Sequence, residues 1–335
     1  MEMIMDKQSF LQMIEYLKGR QVYIQTHNFP DPDAIGSAFG LAGILRHYGI
    51  TSTLCYVGQI DRVNTKKMTE LCQIRMLSEE ELEKTIQPED PIICVDSQKG
   101  GGNIKDLPGE EIACIDHHPL IEREGYRYLD VRKTGSCATM IAEYYQELSI
   151  VPETAVATAL LYGLKMDTLH FTRGVTEADI RMFAFLFPLA SQEILTELTS
   201  NTMEFQDLRA YGSAIENIFV YDRVGFAGIP FSCQDAQIAV VSDFILSLEN
   251  VDVSVIYADR KDGIKFSVRS ETPSIDAGKL TAEALRGLGS GGGHSFMAGG
   301  IIFRQNVETL GVDPDTTIRE LFYHALKKAG VTDGT

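Results

Sequence analysis

The chain has 335 residues, 44% hydrophobic and 23% charged, long enough for two domains that each bury a core. No run approaches the ~18 apolar residues needed to cross a bilayer, which argues against a membrane-bound protein. A net charge of −17 at pH 7 argues against a coat for long duplex nucleic acid, but not against a short phosphorylated ligand met by divalent cations.

In chain order, short apolar runs at 21–26, 52–57, 91–95 and 111–115 predict strands. Between them, 33–48 and 64–71 predict helices, as does the acidic run 78–84. This alternation predicts an α/β fold, a parallel sheet with helices on both faces. Residues 153–188 carry a helical pattern, and 191–218 predicts a linker helix. A smaller α/β domain follows over 219–330, making 1–190 the first domain. The second domain has expected strands at 225–231, 251–258, 264–269 and 298–303, and helices at 235–248, 277–285 and 317–328. The second and third strands form a hairpin around Lys261-Asp262-Gly263.

The N-terminus has no basic flank before an apolar core, so no secretory signal is expected. Six scattered cysteines with no C-x-x-C pair read as buried small hydrophobes. A reducing, cytoplasmic setting is expected.

Three expected strands end on residues that bind metals or move protons: His27, Asp96 and Asp116. In parallel sheets, ligands collect at that carboxyl edge. In His27-Asn28-Phe29-Pro30-Asp31-Pro32-Asp33, each proline keeps the preceding residue out of the helical region. A roughly extended segment puts His27, Asp31 and Asp33 on one face, a set suited to Mn²⁺. The same segment also reads as a proline-rich turn with Asp33 capping the next helix. In Asp116-His117-His118-Pro119, neighbouring histidines diverge, so one ligand and one substrate-facing histidine is the natural arrangement. Asp96 alone is an ordinary strand end, and Asp167 alone an ordinary helix end. Ser136 reads as a helix cap.

His-x-x-x-Asp-x-Asp-Ala, Val-Asp-Ser, Asp-His-His-Pro and a later Asp-Thr, in that order, resemble the motifs of the DHH phosphoesterase superfamily. The resemblance implies two Mn²⁺ ions, other divalent ions being open. One would be held by His27 and Asp31, the other by Asp33, His117 and Asp167, with Asp96 bridging. It further implies that His118 faces the scissile phosphate and that Asp116 orients the histidines. The fourth motif departs from the family's Asp-Thr-Gly, reading Asp167-Thr168-Leu169-His170, which bears on substrate fit more than on chemistry. His170 reads as a surface or packing residue.

Ser290-Gly291-Gly292-Gly293-His294, followed by Ala298-Gly299-Gly300, reads by itself as a flexible turn. It also resembles the glycine-rich signature of the DHH-associated C-terminal domain. By that resemblance Arg269, Gly292, Gly293 and His294 grip a terminal phosphate or nucleotide. The implied substrates are short oligonucleotides, cyclic dinucleotides or 3′-phosphoadenosine 5′-phosphate. An inorganic pyrophosphatase or exopolyphosphatase on the same metal core is the alternative enzyme. A nucleotide sensor that binds without cleaving is the alternative of another class. A homodimer is left open.

Overall fold

A computed structural model describes residues 5–60, 62–82, 85–121, 125–200, 203 and 205–328. The chain divides into two units, Met1–Thr202 and Met203–Thr335.

The first unit runs α1 (Lys7–Leu17), β1 (Val22–Gln25), α2 (Pro32–His47), β2 (Ser52–Tyr56), α3 (Val63–Leu71), β3 (Met76–Ser78) and α4 (Glu79–Leu82). It continues through β4 (Pro91–Val95), β5 (Glu110–Asp116), β6 (Tyr128–Val131), α5 (Cys137–Glu147), α6 (Thr154–Asp167), α7 (Glu177–Leu186) and α8 (Gln192–Thr199). Its six strands pair in parallel in the order β3-β2-β1-β4-β5-β6, so the strand order reverses between β1 and β4. A crevice opens beyond the carboxyl ends of strands at such a reversal.

Alternate side chains of each strand enter different cores, which is why the strands are apolar throughout. Ile24, Ile93 and Ile115 pack under α1, α2, α5 and α6, whereas Tyr23, Cys94 and Cys114 pack against Leu82 of α4 and the segment around Ile104 and Leu107. Helices therefore cover both faces, but unequally. The acidic helix is shorter than expected: Ser78 ends β3, and Lys84 lies outside the described residues. β3 and β6 were too short to announce themselves as periodic runs. All six cysteines are buried free thiols. No helix among the described residues is long and apolar enough to cross a membrane.

The second unit contains α9 (Phe205–Asn217), β7 (Phe219–Tyr221), β8 (Val224–Ile229), α10 (Asp235–Leu246), β9 (Val253–Arg260) and β10 (Gly263–Ser270). After these come α11 (Ala277–Ala284), β11 (Gly289–Gly293), β12 (Met297–Phe303), α12 (Arg304–Val307) and α13 (Pro314–Lys328). Its six-stranded sheet, β11-β12-β10-β9-β8-β7, is antiparallel except for the β8–β9 pair, and β9 and β10 form the expected hairpin.

Two expectations need correction. The stretch 191–218 is not one linker helix. It is α8 and α9, each tied to its own unit's core by Leu195 and Leu198 or by Ala210 and Ala214. The burial of each apolar stripe, not helical propensity along the stretch, decides where the helices end. The glycine run is not a loop either. Residues 289–293 pair along β12 as an edge strand, and a Cβ on Gly289 would sit 1.7 Å from the Ile301 carbonyl oxygen.

Helices α2 and α6 meet through glycines. A Cβ on Gly36 would lie 2.7 Å from the Ala159 carbonyl oxygen, and one on Gly163 would lie 2.8 Å from that of Pro32. This approach brings the start of α2, with Asp33, beside the end of α6, with Asp167. Gly163→Ala should therefore lower stability by about 1–3 kcal/mol through backbone overpacking, seen as a lower urea midpoint at an unchanged slope.

Candidate metal centre

Four strand or helix ends deliver the acids and imidazoles. β1 leads into His27, β4 into Asp96, β5 into Asp116-His117-His118, and α6 finishes at Asp167. Asp31 caps α2, its Oδ1 accepting from the amides of Asp33 (2.9 Å) and Ala34 (3.1 Å), with Pro32 at the first helical position. Asp33 is thus not the cap. Its carboxylate crosses to the start of α5 and accepts from the amides of Cys137 (2.7 Å) and Ala138 (2.8 Å). Ser136 caps α5 as expected, accepting from the Thr139 amide.

The segment 27–33 is not extended throughout. Phe29 is left-handed, φ 55°, because the Asn28 amide is held by the Asn103 carbonyl (2.8 Å) and the Phe29 amide by that of Val57 (2.9 Å). Asp31 is extended, with φ −95° and ψ −179°.

The side chains converge. His27, Asp31 and Asp96 place one donor atom each within 4.8 Å of one another, and so do Asp33, His117 and Asp167. Asp96 joins the two sets: its Oδ2 is 3.6 Å from His27 Nε2 and its Oδ1 is 3.3 Å from His117 Nε2. Asp96, His117 and His118 make a third such set.

The imidazoles are held so that Nε2 is the nitrogen offered to the cluster. His27 Nδ1 is 2.8 Å from the Asn28 carbonyl oxygen, and His117 Nδ1 is 3.2 Å from that of Thr134. A carbonyl only accepts, so Nδ1 carries the proton and the neutral ring keeps a lone pair on Nε2, as a metal ligand requires. His118 Nδ1 pairs with Asp116 Oδ1 at 2.7 Å, and the other Asp116 oxygen accepts from Gln98 Nε2 at 2.8 Å.

Crowding carboxylates in a buried place disfavours their charged forms. Burial, then the charges of Asp96 and Asp167, push Asp33 well above the usual carboxylate range. Burial likewise raises Asp167 to about 6, against the opposing pull of His117. Burial pulls His27 down, but Asp31 and Asp96 outweigh it and raise the ring to about 10. The buried Asp96 Oδ1 accepts no hydrogen bond among the described residues. An orphaned carboxylate oxygen amid raised acids and Nε2-directed imidazoles fits divalent cations, and the mixed N/O donor set suits ions of the Mn²⁺ type.

Several residues that support the site lie outside the sequence motifs. Asp179, fully buried on α7, accepts from the Gly135 amide (3.0 Å), the Thr139 hydroxyl (2.5 Å) and the Thr176 amide and hydroxyl (2.6 and 2.7 Å). It thereby pins the 134–136 turn whose Thr134 carbonyl orients His117. Its spacing from Thr176 was the available clue, a capping box. Arg173 reaches back to the Asp167 carbonyl at 2.9 Å, across a turn in which Leu169, His170 and Phe171 are all left-handed (φ 45°, 53° and 69°). This is the shape taken after the Asp167-Thr168 motif in place of a glycine turn. His170 is exposed there and Phe171 packs on Phe183.

The second unit carries a cleft of about 480 Å³ lined by Lys265, Arg269, Gly292, Gly293 and His294, among others. Arg269 is buried: its Nε donates to Asp243 (2.6 Å), and its Nη1 to Ser267 Oγ (2.9 Å) and the Val268 carbonyl (3.2 Å). Nη2 has no protein partner among the described residues. The glycines divide by role. Gly291 and Gly293 have no room for a Cβ against Thr281 and Met297, but a Cβ on Gly292 would meet nothing within 4 Å. The His294 ring stacks on Phe296.

Comparisons with known proteins agree with this geometry. The family model described as DHH family, N-terminal domain matches residues 21–164, and that of the DHHA1 domain matches 219–310. Among relatives, protein MJ1633 of Methanocaldococcus jannaschii is 28% identical over 86% of this chain, which spans 59% of that protein's length. The bifunctional oligoribonuclease and PAP phosphatase NrnA of Thermus thermophilus is 27% identical over 83% of each chain. An exopolyphosphatase-related protein from Bacteroides fragilis shares the fold, with TM-score 0.74 at 18% identity and 98% of each chain covered. A parallel sheet with clustered acids and imidazoles at its switch point defines the class as metal-dependent phosphoesterase. The chain belongs to the DHH phosphoesterase superfamily, in the branch that carries a DHHA1 C-terminal domain.

Asp179→Ala leaves a buried amide and hydroxyl unmet, so it should cost about 3 kcal/mol in chemical denaturation. Divalent-metal affinity should fall at least about 10-fold by calorimetry, because the turn that orients His117 loosens.

Proposed function

We propose that this protein hydrolyses short nucleotide phosphoesters: short oligonucleotides, cyclic dinucleotides or 3′-phosphoadenosine 5′-phosphate. The observation that carries the reading is Asp96, a buried carboxylate with an oxygen that accepts no hydrogen bond, lying between two donor sets. His27 and Asp31 would hold one divalent ion, and Asp33, His117 and Asp167 the other, with Asp96 shared. Mn²⁺ is the ion we assign to both. Bound there, such a pair lowers the pKa of water and neutralises charge on the phosphoryl oxygens.

The chain's own residues supply the rest. Asp116 holds His118 through Nδ1 and stabilises its charged form, and His118 would face the substrate. There it hydrogen-bonds the phosphoryl oxygen or gives a proton to the leaving oxygen as the water oxygen bonds to phosphorus. Gln98 fixes Asp116 from the other side. In the second unit, Arg269 Nη2 and the open strand at Gly292, Gly293 and His294 form a surface for a terminal phosphate or nucleotide, with Lys265 adding charge. The oligoribonuclease and PAP phosphatase activity named for the Thermus relative supports nucleotide over inorganic substrates.

The test is a turnover panel with Mn²⁺ present and then chelated: labelled di- and pentanucleotides, cyclic di-AMP, 3′-phosphoadenosine 5′-phosphate, pyrophosphate and polyphosphate. Turnover of the inorganic substrates alone would favour a pyrophosphatase or exopolyphosphatase, and tight nucleotide binding without release would favour a sensor. Asp96→Asn, chosen because asparagine tolerates the left-handed φ of 58° found there, should abolish turnover while the protein stays folded by circular dichroism. Activity retained in that variant at saturating Mn²⁺ would sink the bridging role. Gly292→Val should leave the melting temperature unchanged yet raise nucleotide KM about 10-fold, the effect of ~1.4 kcal/mol of lost contact in the cleft.

A further inference from the structure

Phe29 stands out among the aromatic side chains of the first unit. It lies between His27 and Asp31 in sequence, is 61% exposed, and stands outside the hydrophobic cores of the described residues. Its backbone is left-handed, φ 55°, a conformation that strains a bulky residue. A strained, solvent-exposed phenylalanine contributes little to folding, so the strain calls for another use.

The surroundings hold the ring in place. Hydrogen bonds from the Phe29 amide to Val57 and from the Asn28 amide to Asn103 fix the backbone on both sides, and Asn28 Oδ1 accepts from the Lys105 amide at 3.0 Å. Pro30 stiffens the next residue. The ring rests on Gly58, itself left-handed at φ 89°, where a Cβ would approach the ring carbons to 2.8 Å. One side of the ring is therefore seated on bare backbone, while the rest faces solvent.

We infer that Phe29 is a stacking platform for a nucleobase of the substrate, set beside the metal centre and selecting nucleotide over inorganic phosphoesters. This rests on the proposed function and names the chemical group that the site recognises. A flat apolar ring held rigid in advance stacks any base without reading its edge. Pyrophosphate and polyphosphate have nothing to place against it.

The test compares the dinucleotide pApA with an analogue in which both sugars lack a base, using wild type, Phe29→Ala, Phe29→Leu and Phe29→Trp with Mn²⁺ present. Wild type should favour pApA by about 10-fold in KM. Alanine and leucine should each collapse that ratio toward one, with the loss in KM rather than kcat, and tryptophan should keep it. Leucine preserves apolar packing on Gly58, so a ratio retained in Phe29→Leu but lost in Phe29→Ala would show a packing strut and overturn the inference. Equal losses on both substrates, or no effect in any variant, would also overturn it while leaving the proposed function standing. Failure of wild type to cleave either dinucleotide would overturn the inference, and failure on every nucleotide of the wider panel as well would overturn the proposed function too.

Discussion

The first unit is organised around a single electrostatic constraint: the carboxylates of Asp31, Asp33, Asp96 and Asp167 come together at one edge of the sheet, Asp33 and Asp96 buried and Asp31 and Asp167 half-exposed. Left alone, such a cluster repels itself and takes up protons, as the raised positions of Asp33 and Asp167 show. The fold answers part of the charge with polar groups of its own. Two amides at the start of α5 meet Asp33, and His27 and His117 turn Nε2 inward. The remainder is a demand for cations, written into the chain as an orphaned oxygen on Asp96.

Meeting that constraint explains features that look unrelated. The glycines of α2 and α6 let two helices touch so that Asp33 and Asp167 can be neighbours. The carbonyls of Asn28 and Thr134 select the histidine tautomer, and the buried Asp179 holds the turn that carries one of them. Left-handed residues gather at the same edge, at Phe29, Asp96 and 169–171, where the chain bends to aim side chains rather than to continue an element. Each is a local expense that the packed sheet and helices beneath can bear.

The second unit solves a different problem. Its glycine run is an edge strand in which most positions lack a side chain because α11 and β12 leave no space, whereas Gly292 lacks one although space is available. Arg269 is clamped through Nε and Nη1 by Asp243 and Ser267, which fixes its orientation.

Much of this was legible in the sequence. Apolar runs ending in His27, Asp96 and Asp116 placed the site at the carboxyl edge of a parallel sheet, because strand periodicity and strand ends are local properties. The candidate donor residues and their order were equally visible. What tertiary structure alone decided was every feature that depends on a partner distant in sequence. Asp33 reaches 104 residues ahead to α5 instead of capping its own helix. The stretch 191–218 broke into α8 and α9 because two cores competed for its apolar faces. Residues 289–293 became a strand because β12 offered a ladder, and Phe29 turned left-handed because Val57 and Asn103 hold the backbone there. Sequence determined which atoms could bind cations and phosphate. Hydrogen bonds and packing across the chain determined where those atoms point, since orientation is set by neighbours that no local pattern names.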